Sequence, residues 1–400
     1  MKKSLFFAFA VAGMLCSCSS EEAIDGGATN VGDVENSELV PIKIGMSSNV
    51  ITRGSGTVGG TTDETNVWNG QLIKVFMLKK GTMEAAETGL SYYTDKDGEK
   101  KLFWDEELTA PTGSSSDLAF TVKGDIKYYP TDNTVSDFWA YHVDELAATD
   151  KAITEELTAT ETELSYNITI DGSQDVMVAK AEYDGSNENV PTERAYSAFA
   201  ARNGVQPKLI FKHLLTRLQF TVVPGNNQST EEEKQAIIAK NIKVRSIKVL
   251  SKTTGKLIVA YTGEETVDQL QLNPVDENTE MMVLKQRSED ETELVALEDK
   301  AVDNIEGVRI GEALLVAPQT EDYVMEIELV QSVQTTASGD VSEETFNTPA
   351  SIKVPTSSGA FEAGHSYNVQ ISVWGLEQIE VTATLTPWTA DEDITVDPEI

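Results

Sequence analysis

Apolar side chains recur at every second position in much of this 400-residue chain, and this period constrains the fold more than any other feature. The clearest examples are the apolar sets Val40, Ile42, Ile44 and Met46, and Leu218, Phe220 and Val222. Successive side chains of a β-strand point to opposite faces, so a period of two predicts strands. Turns rich in Gly, Asn, Asp and Pro separate these segments, which predicts an all-β sandwich. Asp97-Gly98 predicts one hairpin turn.

Residues 229–240 are the one segment that clearly departs from this period. Three glutamates follow Ser229 and Thr230, and either of these two residues can act as an N-terminal cap. Acidic side chains are favoured in the first turn of a helix. We therefore predict one short helix inserted between strands.

The first residues of the chain form an export signal. Lys2 and Lys3 precede an apolar run at residues 5–15, which is too short to span a bilayer as a helix. Leu15 stands three residues before Cys18, a spacing that resembles a bacterial lipoprotein signal better than the residues before Cys16 do. We predict that the Cys18 thiolate receives a lipid, which anchors the protein to the outer membrane. The acidic residues that follow resemble a surface-export signal.

Charge and motif content exclude several classes of function. The chain has 31 Lys+Arg and 66 Asp+Glu residues, a net charge of −35, so nucleic acid is not an expected partner. Both cysteines lie in the signal region, which leaves none for a disulfide or a nucleophile. His142, His213 and His365 are far apart and match no metal-ligand pattern. We predict no enzyme activity, metal or cofactor, and expect His213 and Arg217 to orient strands or to pair with carboxylates.

Turn-forming residues at 203–207 interrupt the strand pattern and indicate a domain boundary. The predicted division is a signal peptide at residues 1–17, a lipidated pro-segment at 18–53, an N-terminal sandwich at 54–207 and a C-terminal sandwich at 208–400. All five tryptophans are expected mainly in the sandwich cores. They are Trp68, Trp104, Trp139, Trp374 and Trp388.

Several short segments, taken in order, resemble the fimbrillin superfamily, the major and accessory pilin lipoproteins of Bacteroidales. Besides Cys18 and Arg53, the matching segments are residues 67–78, 128–130, 135–141, 174–179, 211–218, 314–319, 364–371 and 381–388. None of them is a catalytic signature. The resemblance implies two tandem transthyretin-like β-sandwich domains with Greek-key-type connections.

The resemblance also implies maturation by an Arg-specific protease that cuts between Arg53 and Gly54. A removable strand then leaves, and the open groove accepts a strand from another subunit by donor-strand exchange. Pro41 in the removable strand is typical of a sheet edge, and an open edge is a template for strand addition. The predicted removable strand carries Val40, Ile42, Ile44 and Met46. The predicted donor residues are Ile379, Val381, Ala383, Leu385, Ile394, Val396 and Ile400, although residues 378–400 fit an ordinary edge hairpin as well.

These features predict a structural subunit of an adhesive cell-surface fimbria. Its expected partners are copies of itself, other fimbrial subunits, the protease and, before maturation, the outer membrane. Arg53 and the long C-terminal strand pair favour a stalk subunit over a tip or an anchor. A surface glycan-binding lipoprotein of a carbohydrate-uptake system is the alternative, and it would bind sugars through exposed tryptophans.

Overall fold

The segments with a period of two form β-strands through most of the described chain. The computed structural model describes residues 39–46, 70–80, 92–102, 106–110, 119–120, 126–144, 152–153, 157–262, 267–273, 279–289, 294–334 and 341–386. All of them belong to one compact unit, residues 37–400. The first twelve strands are β1 (Gly45–Met46), β2 (Leu72–Lys79), β3 (Tyr92–Thr94), β4 (Lys100–Leu102), β5 (Glu106–Thr109), β6 (Ala119–Phe120), β7 (Ser136–Val143), β8 (Thr158–Ala159), β9 (Glu163–Thr169), β10 (Val176–Ala181), β11 (Lys208–His213) and β12 (Thr216–Pro224).

Further strands and two α-helices complete the described part of the chain. The helices are α1 (Ala198–Arg202) and α2 (Glu231–Ile238), and a 3-10 turn lies at Thr192–Arg194. The remaining strands are β13 (Ile242–Lys252), β14 (Thr254–Tyr261), β15 (Leu270–Leu272), β16 (Thr279–Val283), β17 (Lys285–Arg287), β18 (Leu294–Ala296), β19 (Lys300–Ala301), β20 (Val308–Val316), β21 (Tyr323–Gln334), β22 (Val341–Ile352), β23 (Ser366–Val373) and β24 (Ile379–Thr386). The all-β fold class is therefore confirmed.

The first sheet has seven strands in the order β1-β11-β10-β7-β2-β5-β6. Its neighbours are antiparallel except for β1, which pairs with β11 in parallel. Both faces are buried along β2 and β7, which is why β2 is a nearly continuous apolar run. One face contributes to what we call the groove cluster, which includes Val40, Ile42, Ile44, Met46, Ile73, Val75, Met77, Tyr129, Phe138, Tyr196, Leu209 and Phe211.

The opposite face of the first sheet packs on the rest of the molecule. It contributes Phe76, Trp139 and Tyr141 to a second cluster, together with buried side chains of β9 and β14. The same cluster continues between the sheets β20-β12-β23-β24 and β16-β13-β21-β22, where apolar faces meet as in a sandwich. The first sheet and the C-terminal sandwich therefore share one continuous apolar core.

Two local sequence predictions are confirmed by the structure. Helix α2 is capped by Thr230, whose Oγ1 accepts a hydrogen bond from Glu233 N at 3.3 Å while the Glu233 carboxylate accepts from Thr230 N at 2.8 Å. The hairpin of β3 and β4 turns at Gly98, which has φ +82°. The sequence analysis missed α1, because its five residues span little more than one turn; Ser197 is its N-cap.

The strand pairing bears on the division proposed from the sequence. Strand β11 begins at Lys208, immediately after the predicted boundary, yet it pairs with β10 in the first sheet. Strand β14 likewise returns to pair with β9. A domain division between residues 207 and 208 stays a prediction. Strands from the C-terminal side of this division, β11 and β14, pair with strands from its N-terminal side.

The loop between β9 and β10 joins the first sheet to the C-terminal sandwich at Gly172. Leu315 N donates to Gly172 O at 2.8 Å, and the neighbouring Asp171 carboxylate lies 2.9 Å from Lys285 Nζ. Gly172 has φ +92°, and a Cβ added there would lie 2.7 Å from Leu314 Cδ1. This position therefore needs glycine both for its backbone and for the close approach of β20.

We expect Gly172→Ala to lower the free energy of unfolding by about 2–4 kcal/mol, because strain at positive φ adds to a steric clash. Gly98→Ala is the matched control: Gly98 also has positive φ, but nothing lies within 4 Å of an added Cβ. Its expected loss is about 1 kcal/mol. Chemical denaturation measures both values, and equal losses would contradict the packing argument.

Candidate functional site

Residues 39–46 lie in a groove of the first sheet, with alternate side chains directed into the groove cluster. Val40, Ile42, Ile44 and Met46 are 9%, 3%, 3% and 0% exposed, which is as buried as the interior of the protein. Lys43 is exposed, and Pro41 and Gly45 are half-buried. Burying side chains of this size contributes about 1.5–3 kcal/mol each. An empty groove would therefore expose a large apolar surface to water.

The backbone of this segment is hydrogen-bonded to two different partners. In its first half, Ile42 N donates to Lys127 O at 2.8 Å and Tyr129 N donates to Val40 O at 2.9 Å. In its second half, Gly45 N donates to Pro207 O at 2.9 Å, where the parallel pairing of β1 with β11 begins. The segment thus joins residues 127–129 to β11.

Pro41 occupies a place on this path where a missing N–H costs no hydrogen bond. It lies opposite Tyr128 in an antiparallel bridge, and the residues on either side of Pro41 make the hydrogen bonds. Such non-hydrogen-bonded pairs use no N–H at the paired residue. Pro41 is therefore compatible with a bonded strand, in addition to the edge position that its presence indicates.

The Gln206 side chain holds the middle of the segment. Its Oε1 accepts from Lys43 N at 3.2 Å and from Tyr129 Oη at 3.1 Å, and its Nε2 donates to Pro41 O at 3.1 Å. The next residue, Pro207, has no N–H, so the parallel ladder cannot extend toward Pro41 through the backbone. Gln206 supplies these bonds instead. Because the bonds to the segment reach backbone atoms only, they recognise an extended strand rather than particular side chains.

The opposite wall of the groove is fixed by a buried charge. Lys127 is 3% exposed, lies 3.1 Å from the Glu106 carboxylate and stands 4.2 Å above the centre of the Tyr93 ring. A buried ammonium needs such a partner, and the ring adds a cation–π contact. These contacts position the carbonyl of Lys127 that accepts from Ile42.

The predicted donor residues fall into two groups. Ile379, Val381, Ala383 and Leu385 lie in β24, an edge strand that pairs with β23 alone among the described strands. The first three are partly buried and pack on the second cluster, and Leu385 is 40% exposed. This strand is less buried than residues 40–46. Ile394, Val396 and Ile400, like Cys18, Arg53 and Gly54, lie outside the described residues, so their roles stay predictions.

The histidines lie in separate structural contacts. His213 Nδ1 lies 2.8 Å from the carboxylate of the fully buried Asp175, and Arg217 is also buried. His365 is half-buried, 3.5 Å from Glu362. Among the described residues, no group of His, Cys, Asp or Glu side chains could hold a metal ion. No helix in the described ranges is long and apolar enough to cross a membrane.

The buried His142 contacts an acceptor at each ring nitrogen. Nδ1 lies 2.7 Å from Leu72 O, and Nε2 lies 3.0 Å from Asp144 Oδ1. Burial by itself lowers the pKa of His142, but the hydrogen bond to Asp144 and the nearby carboxylate charges raise the pKa above its ordinary value overall. The imidazolium form therefore satisfies both contacts.

The sheets and the groove together define a β-sandwich protein whose first described strand fills a groove in its N-terminal sheet. Residues 60–388 match the fimbrillin-like family, and the chain belongs to that family. No curated protein is significantly similar to it in sequence.

Solved structures of Bacteroidales proteins are similar to this chain at low identity. A candidate cell adhesion protein of Bacteroides uniformis is 17% identical, with 88% of this chain and 99% of that chain covered and a TM-score of 0.45. One from Bacteroides ovatus is 12% identical, with 88% and 98% covered and a TM-score of 0.41. A fimbrial assembly protein of Parabacteroides distasonis is 12% identical, with 87% and 99% covered and a TM-score of 0.29.

The Gln206 side chain is a groove contact that the sequence analysis missed, since its position in a turn before Pro207 indicated only a boundary.

We expect Gln206→Ala to speed amide hydrogen exchange in residues 39–46 and to lower the free energy of unfolding by about 1–2 kcal/mol, because backbone groups and Tyr129 lose partners.

The control for this variant is Gln271→Ala, since the bond that the Gln271 side-chain amide makes within the described residues goes to the nearby Asp268 O. Exchange mass spectrometry should find residues 39–46 unchanged in that variant. Unchanged exchange of residues 39–46 in Gln206→Ala would contradict the assigned role.

A second expectation concerns pH. Because the folded pKa of His142 is raised, its stabilising effect is complete below the unfolded value of about 6.5 and is lost as pH rises through the folded pKa. His142→Gln should therefore lower the unfolding free energy more at acid than at alkaline pH. Denaturation curves across this pH range measure the difference, and a pH-independent loss in His142→Gln would refute the charged form.

Proposed function

We propose that this protein is a structural subunit of a cell-surface fimbria that is matured by proteolysis and assembled by strand exchange. The observation that carries the proposal is the burial of residues 40–46. Four side chains fill a groove, and the hydrogen bonds described for the segment reach its backbone atoms rather than particular side chains. Membership of the fimbrillin-like family supports the same assignment. Such a segment can be replaced by any strand with the same alternation of apolar side chains.

The position of Arg53 supports the maturation step. It lies in the sequence between Met46, the last described residue of the groove segment, and Leu72, where β2 begins. A cut after Arg53 would leave residues 39–46 attached to the molecule by non-covalent contacts alone. The released piece, residues 18–53, would carry the lipid on Cys18 away and free the subunit from the outer membrane for incorporation into the fimbria.

The C-terminal strands supply the donor in this proposal. A vacated groove exposes the backbone acceptors of residues 127 and 207 and the apolar side chains beneath them. A strand from a second copy would restore both sets of contacts. Because each copy has one groove and one donor, the contact is head-to-tail and does not close, which produces a filament.

Among the fimbrial roles, a stalk subunit uses both the cut and the donated strand, whereas an anchor keeps its lipid and a tip has no neighbour above it.

The alternative of a glycan-binding lipoprotein rests on exposed tryptophans. Trp139 is 1% exposed, packed on Tyr261 with ring centroids 4.9 Å apart, and is not available for sugar stacking. Trp374 is half-buried, and Trp68, Trp104 and Trp388 lie outside the described residues. The burial of Trp139 is one observation that favours the fimbrial assignment.

The testing experiment treats the soluble precursor, made without residues 1–18, with an Arg-specific protease. We expect cleavage after Arg53, filaments in electron micrographs and SDS-resistant ladders on unboiled gels. Arg53→Ala and Arg53→Lys should resist this protease and stay monomeric, because neither offers the arginine that it requires. A variant that lacks residues 394–400 should be cut but should not polymerise.

Other outcomes have a definite meaning. Clean cleavage that leaves only monomers would refute a stalk subunit and favour a tip or accessory subunit. Resistance of the wild-type chain at Arg53 would refute proteolytic maturation and favour an anchor or a glycan-binding lipoprotein.

A further inference from the structure

The face of β11 that points away from the groove cluster carries exposed lysines. Lys208 and Lys212 are exposed, and Ile210 between them is 55% exposed, whereas the residues that alternate with them are buried. Lys180 of β10 pairs with Ile210 and therefore lies on the same side of the sheet. We call this surface the lysine face, defined by Lys180, Lys208, Ile210 and Lys212. It stands out in a chain whose net charge is −35.

The segment that occupies the groove offers this face no negative charge. Gly45 pairs with Lys208, so the side of the strand that carries Gly45 and Lys43 points the same way as the lysine face. Lys43 adds a like charge, and Gly45 has no side chain. Glu182 and Asp184 line a pocket with Lys208, but in the described part of the chain no ion pair joins them to it.

Residues 394–400 repeat the apolar spacing of the groove segment with the opposite charge. Their apolar residues are Ile394, Val396, Pro398 and Ile400, at the same intervals as Val40, Ile42, Ile44 and Met46. The residues between them include Asp397 and Glu399, where the groove segment has Lys43 and Gly45. One strand could therefore replace the other and reverse the charge on its outer side.

The hydrogen bonds of the groove select the same alignment. In it, Pro398 takes the place of Ile44, whose N–H makes no hydrogen bond among the described residues. The bonds made by the N–H groups of Ile42, Lys43 and Gly45 would pass to residues 396, 397 and 399, which all have an N–H. A shift by one residue would instead turn the apolar side chains outward.

We infer that residues 394–400 of a second copy enter the groove in this one register, and that Lys208 of the lysine face selects them by pairing with Glu399, which lies opposite it, and with the diagonal neighbour Asp397. The inference rests on the strand exchange proposed above and adds its register and its charge preference. Opposite charges on adjacent strands stabilise pairing, and like charges oppose it. The acidic donor is therefore favoured over the segment that carries Lys43, which gives the exchange a direction.

The register is tested by disulfide formation in the precursor without residues 1–18, which has no natural cysteine. Adjacent strands lie about 4.8 Å apart, within the range of a disulfide. After cleavage, chains with Glu399→Cys and Lys208→Cys should form intermolecular disulfides under oxidation. Thr395→Cys with Lys208→Cys should not, since four residues separate the positions by ~13 Å. Gly45→Cys with Lys208→Cys should close within the uncut precursor, which verifies the geometry.

Charge selection is tested by assembly rates after cleavage. Lys208→Glu and Glu399→Lys should each slow assembly about threefold or more at low ionic strength, and the effect should shrink with added salt. The double variant should recover, because the pair is restored with its signs exchanged. Lys300→Glu, on exposed β19, makes the same change in net charge away from the lysine face and should assemble normally.

The outcomes separate this inference from the proposed function. Filaments that form without the Glu399–Lys208 disulfide, or without any response to the charge reversals, would overturn the register while leaving strand exchange intact. A cleaved wild-type chain that forms no filaments would overturn both.

Discussion

The architecture of the N-terminal sheet depends on the burial of one short strand. Residues 40–46 place four apolar side chains among Tyr129, Phe138 and Leu209, and they connect residues 127–129 to β11. Without them, the groove would expose apolar surface and unpaired backbone groups, both of which are costly in water-exposed sheets. Yet the segment is held through backbone atoms and generic apolar contacts, so its identity matters less than its pattern. The proposed assembly depends on this combination: a strand must fill the groove, but a different strand of the same pattern can fill it.

The rest of the molecule supplies a fixed support for that groove. The first sheet is buried on its other face by β9 and β14, whose side chains continue into the C-terminal sandwich. Gly172 and the pair of Asp171 with Lys285 link the two regions. Because the core is continuous, loss of the groove strand would disturb one edge of the sheet rather than the whole fold.

Local pattern was sufficient to predict an all-β chain, a helix capped by Ser229 or Thr230, and the alternation of Val40 to Met46. These features depend on residues that are close in sequence. The pairing of β11 with the first sheet, the parallel pairing of β12 with β23, and the contacts of Gln206 with Pro41 and Lys43 join distant segments, and no local period encodes such registers. Helix α1 was missed because five residues carry too little periodic signal. The lysine face became visible only when strand pairing placed Lys180 beside Ile210.

The most direct measurement of the central claim is a cryo-electron microscopy map of the filaments formed after cleavage, at a resolution that identifies side chains. Strand exchange predicts that residues 39–46 have left and that residues 394–400 of the adjacent subunit lie between residues 127–129 and β11, in contact with Gln206. A map in which residues 39–46 still fill the groove, or in which subunits touch elsewhere, would contradict the account.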